Sequence, residues 1–92
     1  IDPVPEGTIL FQNYPNPFNA GTSIGYQLSV PAHVTIKLYD LLGREVMTLV
    51  NEAKAIGIYH KKFTLSTLAS GVYFYRFEAG AYVYTKRLVY IR

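Results

Sequence analysis

The sequence of 92 residues contains no cysteine. It also has no hydrophobic run that approaches the roughly 20 residues of a membrane-spanning helix. The missing thiols exclude a disulfide framework and thiolate chemistry, although they do not identify the compartment. Only 16% of the residues are charged and 50% are hydrophobic, which excludes a disordered chain. Length and composition therefore predict a single domain with a core one layer thick and no membrane insertion.

The first seven residues lack the features of a secretory signal peptide. They have neither a basic n-region nor an apolar h-region, and Pro3 and Pro5 stand close together. Such a stretch is typical of a linker. We expect residues 1–7 to be a linker from an upstream domain and residues 8–92 to be the folded domain.

The sequence also lacks a recognisable catalytic, cofactor-binding or metal-binding motif. His33 and His60 have no cysteine or second histidine at ligand spacing, and a metal site needs three or four convergent ligands. Both are expected to be exposed strand residues. The serines lie outside a G-x-S-x-G setting, and the glycines are dispersed singly. We expect no enzyme activity, no cofactor and no metal, and the scattered basic residues do not indicate nucleic-acid binding.

Hydrophobic and polar residues alternate along most of the chain, which is the period of a half-buried strand. Val34, Ile36 and Leu38 form one such apolar face. Seven strands are predicted: Thr8–Gln12, Ser23–Leu28, Val34–Tyr39, Arg44–Leu49, Gly57–Thr64, Val72–Ala79 and Tyr82–Ile91. The pattern favours an all-β fold, an antiparallel seven-stranded β-sandwich, with a small closed barrel as the alternative. Residues 50–56 are interpreted as a loop, with a single helical turn as the alternative.

Turn signals separate several of these strands. Asp40 suits the first position of a four-residue turn, because its carboxylate can cap backbone N–H groups, and Gly43 suits the last. Gly80 is expected in a tight hairpin between the last two strands. The polar crossing 66–70 contains Leu68, which we expect to plug the core.

Proline and asparagine are concentrated in the segment Asn13–Asn19. Pro15 and Pro17 fix their own φ and favour extended residues before them, and the asparagines suit turn positions. We expect a rigid, extended crossing anchored by Tyr14 and Phe18. Its role is either that of a structural corner or that of a binding loop.

Nine tyrosines and five phenylalanines supply large side chains for the core. Six tyrosines on the predicted strands could instead lie together on one face: Tyr59, Tyr73, Tyr75, Tyr82, Tyr84 and Tyr90. They would then form the sugar-stacking platform of a carbohydrate-binding module. The aromatic strands Val72–Ala79 and Tyr82–Ile91 also allow a structural subunit that self-associates through edge strands.

Three segments in order resemble the C-terminal sorting domain of type IX secretion substrates in Bacteroidota and related phyla: Leu10–Asn19, Leu38–Val46 and Leu68–Arg76. The resemblance covers nearly the whole chain after residue 7. The second segment also resembles the Ig-like part of flagellar hook-capping proteins, which implies an Ig-like sandwich. The motif positions with a structural role are Asn13, Pro15, Pro17, Phe18, Asn19, Asp40, Gly43 and Tyr73.

The resemblance implies a non-catalytic sorting signal that ends a larger secreted protein. A passenger, either an enzyme or an adhesin, would precede Ile1. The type IX translocon would export it via the periplasm to the cell surface or the medium, and a sortase-like peptidase would usually remove the domain. Translocon recognition is implied for Gly71, Gly80, Lys86, Leu88 and Arg92.

The sequence departs from the family pattern at two places. Ala20 stands where the family often has proline, and Phe63-Thr64 stand where it often has Trp-Asp. Phe63 can still fill a core position. The missing aspartate leaves open how the following turn is built.

The final strand is expected at a sheet edge, where a receptor can add a strand of its own. Lys86, Arg87 and Arg92 would then supply charge contacts to that receptor. Alternatively, the same charges protect the edge against unwanted strand pairing. The two roles are compatible.

Overall fold

The computed structural model of the chain describes residues 7–92. Of the predicted linker, only Gly7 is among these residues, so the linker and the domain boundary after it stay predictions. No helix long and apolar enough to cross a membrane occurs in the described part of the chain.

Seven strands form two sheets, which confirms the predicted all-β sandwich. The strands are β1 (Ile9–Leu10), β2 (Thr22–Leu28), β3 (Ala32–Tyr39), β4 (Glu45–Lys54), β5 (Gly57–Phe63), β6 (Gly71–Ala79) and β7 (Tyr82–Tyr90). One sheet has the order β1-β2-β5 and the other β4-β3-β6-β7. All neighbouring strands are antiparallel. Because the sheets are separate, the closed barrel is excluded.

The core lies where the apolar faces of the two sheets meet. On β3, Val34, Ile36 and Leu38 are fully buried, as their alternation predicts. On β2, Ile24 and Leu28 are equally buried from the opposite sheet. The period-two pattern therefore identified the inward face of both strands correctly.

Aromatic rings from β6 occupy the centre of this core. Tyr73, Tyr75 and Phe77 all point inward and are buried. The Phe77 ring lies 5.5 Å from that of Tyr26 on β2 and 6.2 Å from that of Tyr84 on β7, measured between centroids. The Phe77 ring thus contacts one ring of the opposite sheet and one of its own sheet.

The loop predicted for residues 50–56 is wrong over most of its length. Residues 50–54 continue β4, and Lys54 pairs with Ala32 at the start of β3. Two register irregularities, after Ile36 and after Leu38, interrupt the β3–β4 pairing. Both irregularities lie opposite residues 45–50, whereas residues 50–54 pair regularly. Residues 51–53 are all exposed, so this part of the strand has no apolar alternation to indicate it.

Two further predictions need correction. The first strand is only two residues long, Ile9–Leu10, and beyond it the chain keeps single backbone contacts with β2, at Phe11 and Tyr14. In the crossing between β5 and β6, Leu65 is the buried residue, whereas Leu68 is only half-buried against the core. The backbone N–H of Leu68 donates to the carbonyl of Leu65 at 2.9 Å, so one turn carries both side chains.

Replacing Phe77 by alanine should destabilise the domain by about 3–5 kcal/mol, because it removes a fully buried ring between the sheets. Leu41→Ala is the matched control. Leu41 is 67% exposed, and its loss should change the free energy of unfolding by less than about 0.5 kcal/mol. Urea unfolding followed by circular dichroism measures both. Equal effects of the two substitutions would contradict the assigned core.

Candidate functional site

The three sequence segments with the family resemblance meet at one end of the sandwich. We call it the distal end and define it by Asn16–Gly21, Asp40–Gly43, Ser70–Gly71 and Tyr90–Arg92. The backbone N–H of Ile91 donates to the carbonyl of Phe18 at 2.8 Å, and that of Arg92 to the Ser70 hydroxyl at 2.7 Å. Ser70 in turn lines a shallow groove with Leu41. Parts of the chain that are far apart in sequence therefore form one surface.

The first described residues lie at the opposite end, which we call the proximal end. The side chain of Gln27 donates to the carbonyl of Gly7 at 3.0 Å, near the last residue of β2. Gly80 also lies at this end, in the predicted hairpin between β6 and β7, with a φ of 59°. Gly71 and Gly80 are thus separated by the whole length of β6.

Buried hydrogen bonds attach the start of the Asn13–Asn19 segment to the core. The N–H of Asn13 donates to the Tyr75 hydroxyl at 2.9 Å, and this hydroxyl donates to the carbonyl of Phe11 at 3.0 Å. The Asn13 amide also donates to Thr22 Oγ1 and to the carbonyl of Pro15, each at 3.1 Å. Asn13 is 2% exposed, so these bonds satisfy polar groups that water does not reach.

Only one of the two predicted anchors of this segment is buried. Phe18 is 4% exposed, and its ring centroid lies 5.3 Å from that of Tyr90 and 6.1 Å from that of Phe63. Tyr14 is 81% exposed, so it does not anchor the crossing. Phe63 is only half-buried and packs against the core from its edge.

The other motif residues of the segment are exposed, namely Pro15, Pro17 and Asn19. The peptide bonds before both prolines are cis. The chain bends at residues 15–17, so the segment is not the extended crossing that was predicted. Two isolated β-bridges, Tyr14 with Ser23 and Phe18 with Tyr90, connect it to both sheets. The segment therefore acts as a corner between the sheets.

The C-terminal strand β7 lies at the edge of its sheet, which confirms the predicted position. The C-terminal end of that edge is already occupied by a segment we call the strap, Asn16–Phe18. Asn16 Oδ1 accepts from the N–H of Val89 at 2.9 Å, and the N–H of Phe18 donates to the carbonyl of Val89 at 3.1 Å. A partner strand therefore cannot reach the C-terminal part of β7 without displacing the strap.

The N-terminal part of the same edge is open. In an antiparallel strand, alternate residues direct their backbone groups to the same side, so Val83 and Thr85 face away from β6, as Val89 does. Neither makes a backbone hydrogen bond within residues 7–92. The carbonyl of Arg87 accepts from the Gln12 side chain at 2.7 Å. The open edge thus spans residues 83–87.

The residues implied in recognition have very different accessibilities. Lys86 is half-buried on the core side of β7, opposite Tyr75. Arg92 is exposed at the distal end. Leu88 is fully buried, so its side chain is out of reach in the folded domain.

The Asp40–Gly43 turn is built as its sequence predicts. Asp40 Oδ1 accepts from the N–H groups of Arg44 and Leu42 at 3.0 and 2.9 Å, and Oδ2 lies 2.8 Å from the Arg44 guanidinium. These partners, the Arg44 N–H foremost, lower the pKa of the Asp40 carboxyl. Gly43 supplies the positive φ of 81° that closes the turn. Leu41 and Leu42 project from it, 67% and 77% exposed.

Tyr73, the remaining motif residue, ties the start of β6 to the loop before it. Its ring is 7% exposed, and its hydroxyl donates to the carbonyl of Ala69 at 2.7 Å. The bond holds Ser70 and Gly71 in place at the distal end. These contacts are compatible with the structural role predicted for Tyr73, which stays a prediction.

Among the described residues, more cationic than anionic side chains lack a salt-bridge partner. All four carboxylates of residues 7–92 form salt bridges: Asp40, Glu45, Glu52 and Glu78. Five cations in the same range form none: Lys61, Lys62, Lys86, Arg87 and Arg92. Three of these lie on β7 or just after it, so this side of the domain attracts anions.

The histidines and the alternative tyrosine platform can now be located in the fold. His33 and His60 are exposed strand residues as expected. No group of three metal-ligating side chains occurs among the residues that the structure describes. The six tyrosines do not form a platform, because Tyr73, Tyr75 and Tyr90 are buried in the core.

Sequence reasoning missed the contribution of Gln12 and Asn16 to the β7 edge. Their side chains bond a strand more than 70 residues away in sequence. Alternation identifies which face of β7 is buried, but not what lies beside its edge. The sequence analysis identified Asn16 only as a residue that suits turns. No other pattern in the sequence indicated its contact with β7.

The comparisons with known proteins agree with this picture. A family model described as a secretion system C-terminal sorting domain matches residues 12–92. A solved structure of PorZ, an essential surface component of the type IX secretion system of Porphyromonas gingivalis, superposes with a TM-score of 0.57 at 20% identity. The match covers 95% of this chain but only 12% of PorZ, and at this identity it shows the fold alone. No curated protein sequence matches.

Tyr75→Phe should cost about 1–3 kcal/mol at neutral pH, because the Asn13 N–H and the Phe11 carbonyl lose a buried partner. Burial also raises the pKa of Tyr75 to about 12. The folded state therefore favours the neutral phenol. This stabilisation is complete below the unfolded pKa of about 10 and is lost as the pH rises towards 12.

Urea unfolding at pH 8 and pH 11 measures this effect. Tyr75→Phe should lose less stability between the two pH values than the unsubstituted domain. Tyr82→Phe, at a partly exposed ring, is the control and should behave like the unsubstituted domain. An alkaline loss that is unchanged in Tyr75→Phe would contradict the assignment.

Asn16→Ala should loosen the strap at one point. Val89 loses the acceptor for its N–H, and at about 1 kcal/mol per hydrogen bond its amide exchange should accelerate roughly fivefold. Asn19→Ala is the control, because the Asn19 side chain makes no hydrogen bond within residues 7–92. NMR-detected hydrogen exchange reads the Val89 amide directly, and the same rate in both variants would argue against the strap.

Proposed function

Because the chain belongs to the family of secretion system C-terminal sorting domains, we propose that it directs a passenger domain on its N-terminal side through the type IX translocon. The domain itself is a type IX sorting signal. The passenger is expected at the cell surface or in the medium, and its route crosses the periplasm. A sortase-like peptidase then removes the domain, or the domain stays attached to the passenger.

One observation carries this proposal most directly. The three family segments and the chain's last residues converge on the distal end, whereas Gly7 lies at the proximal end. A passenger joined before Gly7 would extend from the proximal end. The distal end would then be the part of the domain that a receptor can approach.

The five residues implied in translocon recognition fall into two groups by their position in the fold. Gly71 and Arg92 are at the distal end, and Lys86 lies on the edge strand below it. We assign these three to contacts with the translocon. Gly80 and Leu88 support the surface indirectly, Gly80 by closing the β6–β7 hairpin and Leu88 by filling the core.

A non-catalytic role fits the chemistry of the described residues. The carboxylates in this range are held in surface salt bridges, and the two histidines lie on different sheets. General acid–base catalysis needs such groups close together with pKa values tuned to the reaction. We therefore assign any catalytic activity to the passenger.

The two alternatives have less support. A sugar-stacking platform would need coplanar, exposed rings, and only Tyr82 and Tyr84 form a partly exposed stacked pair. Self-association through β7 is opposed by the strap, which occupies the end of its edge, and by repulsion between the cations near it. We retain self-association only as an outcome to be measured.

A fluorescent protein fused before Ile1 should reach the medium or the cell surface in a type IX-competent host. The same fusion in a translocon-deficient strain should remain in the periplasm. Retention in both strains would overturn the proposed function.

Charge reversal separates recognition from general surface effects. Lys86→Glu should reduce export roughly tenfold, because a charge placed wrongly at an interface is strongly unfavourable. Lys61→Glu is the matched control, since Lys61 also forms no salt bridge within the described range but lies on the other sheet. Melting temperatures of both variants show whether the fold is retained. Equal export of the two would remove Lys86 from the recognition surface.

A further inference from the structure

We propose that the open edge of β7, residues 83–87, binds an extended acidic segment of a protein partner, which adds to the four-stranded sheet as a fifth strand. The inference rests on the proposed function only for the origin of the partner, which the sorting machinery would supply. Its physical basis is the hydrogen-bonding, side-chain and charge pattern of this one stretch of strand.

The backbone of the open edge offers an incoming strand its hydrogen bonds. The N–H and carbonyl groups of Val83 and Thr85 point away from β6, and so does the N–H of Arg87. Unpaired groups of this kind are the template for strand addition. Five residues at about 3.4 Å each span roughly 17 Å, which is the length of an ordinary strand.

Other edges of the sandwich are better protected. The β4 edge is distorted between Glu45 and Val50 by the two register irregularities, and its regular end carries the Glu52–Lys54 salt bridge, whose carboxylate disfavours an acidic strand. The β5 edge carries three consecutive side chains that oppose close approach, His60, Lys61 and Lys62. On β7 itself, the strap covers the part from Val89 onwards. Residues 83–87 are a regular stretch of edge whose two charged side chains are both cations.

The side chains of the open edge indicate a partly apolar partner strand. Tyr82 and Tyr84 stack with their centroids 6.4 Å apart on the core-facing side and remain about 40% exposed. Val83 is 50% exposed on the outer side. An added strand would cover apolar surface on both faces of the sheet, and this would stabilise the pairing beyond its backbone hydrogen bonds.

The charges make an acidic segment the best fit. Lys86 and Arg87 are adjacent, so they lie on opposite faces of the sheet. Neither forms a salt bridge within residues 7–92. A strand with carboxylates on both faces would meet one cation on each side. The same cations, on a chain of net charge +3, oppose pairing with a second copy of the domain.

A designed peptide tests the edge without knowledge of the natural partner. The probe is a ten-residue peptide that repeats Val-Val-Glu-Glu, so that glutamates lie on both faces of the extended strand. It has blocked ends and is added to the full 92-residue chain. We expect the amides of Val83, Thr85 and Arg87 to exchange at least about tenfold more slowly, as gained backbone hydrogen bonds require. The same peptide with lysine in place of glutamate should give no protection.

Thr85→Pro is the sharpest variant. It removes an N–H that points outward, so the pairing of β6 with β7 keeps all its hydrogen bonds, and proline is tolerated on edge strands. Thr85→Val retains the N–H and is the matched control. The proline variant should lose the peptide effect and the valine variant should keep it. Arg87→Glu, at an exposed side chain, should weaken binding of the acidic peptide. This variant tests the inference if Thr85→Pro does not fold.

Three outcomes would overturn the inference. They are protection at β4 or β5 instead of β7, equal protection by the acidic and the lysine peptides, and protection at residues 83–87 that appears without peptide as the protein concentration rises. The last would assign the edge to a second copy of the chain.

Export assays separate this inference from the proposed function. If the unsubstituted fusion is not exported, the proposed function fails, while the peptide result stands by itself. If the fusion is exported and Thr85→Pro is exported equally well, the sorting function stands and the open edge is not where the machinery binds. A selective loss of export in Thr85→Pro supports the inference.

Discussion

The buried hydroxyl of Tyr75 is the interaction on which the rest of the arrangement depends. It accepts a hydrogen bond from Asn13 and donates one to Phe11, and it thereby fixes the entering chain to the central strand of the four-stranded sheet. With Asn13 held there, the following residues reach the end of β7, and Phe18 enters the core beside Tyr90. The distal end is assembled around this attachment.

The strap determines how the edge of the domain can be used. An antiparallel sandwich has edges that pair readily with other strands, and natural proteins protect them. Here the protection is partial, because the strap bonds β7 from Val89 onwards and leaves the stretch before Arg87 open. A sorting signal needs both properties. It must not aggregate with its own copies, and it must offer a receptor one defined place to bind.

Much of the fold followed from local patterns. The apolar faces of β2, β3 and β6, the Asp40–Gly43 turn and the Gly80 hairpin are where the sequence placed them, because alternation and turn chemistry act between near neighbours. The extension of β4 to Lys54 was missed, since residues 51–53 are all exposed and carry no apolar alternation. The exposure of Tyr14 was missed as well, because an aromatic ring in a proline-rich corner has no periodic neighbours to indicate its side.

The sequence by itself determined the two-layer β architecture, the inward aromatic rows and, through three ordered motifs, the family. Only the tertiary structure decided that these motifs share one end and that Asn16 lies against Val89, 73 residues further along the chain. The physical reason is the separation in sequence over which each kind of interaction acts. Side-chain alternation and turns depend on residues a few positions apart, whereas the covering of an edge depends on which distant segment reaches it after the sheets have packed.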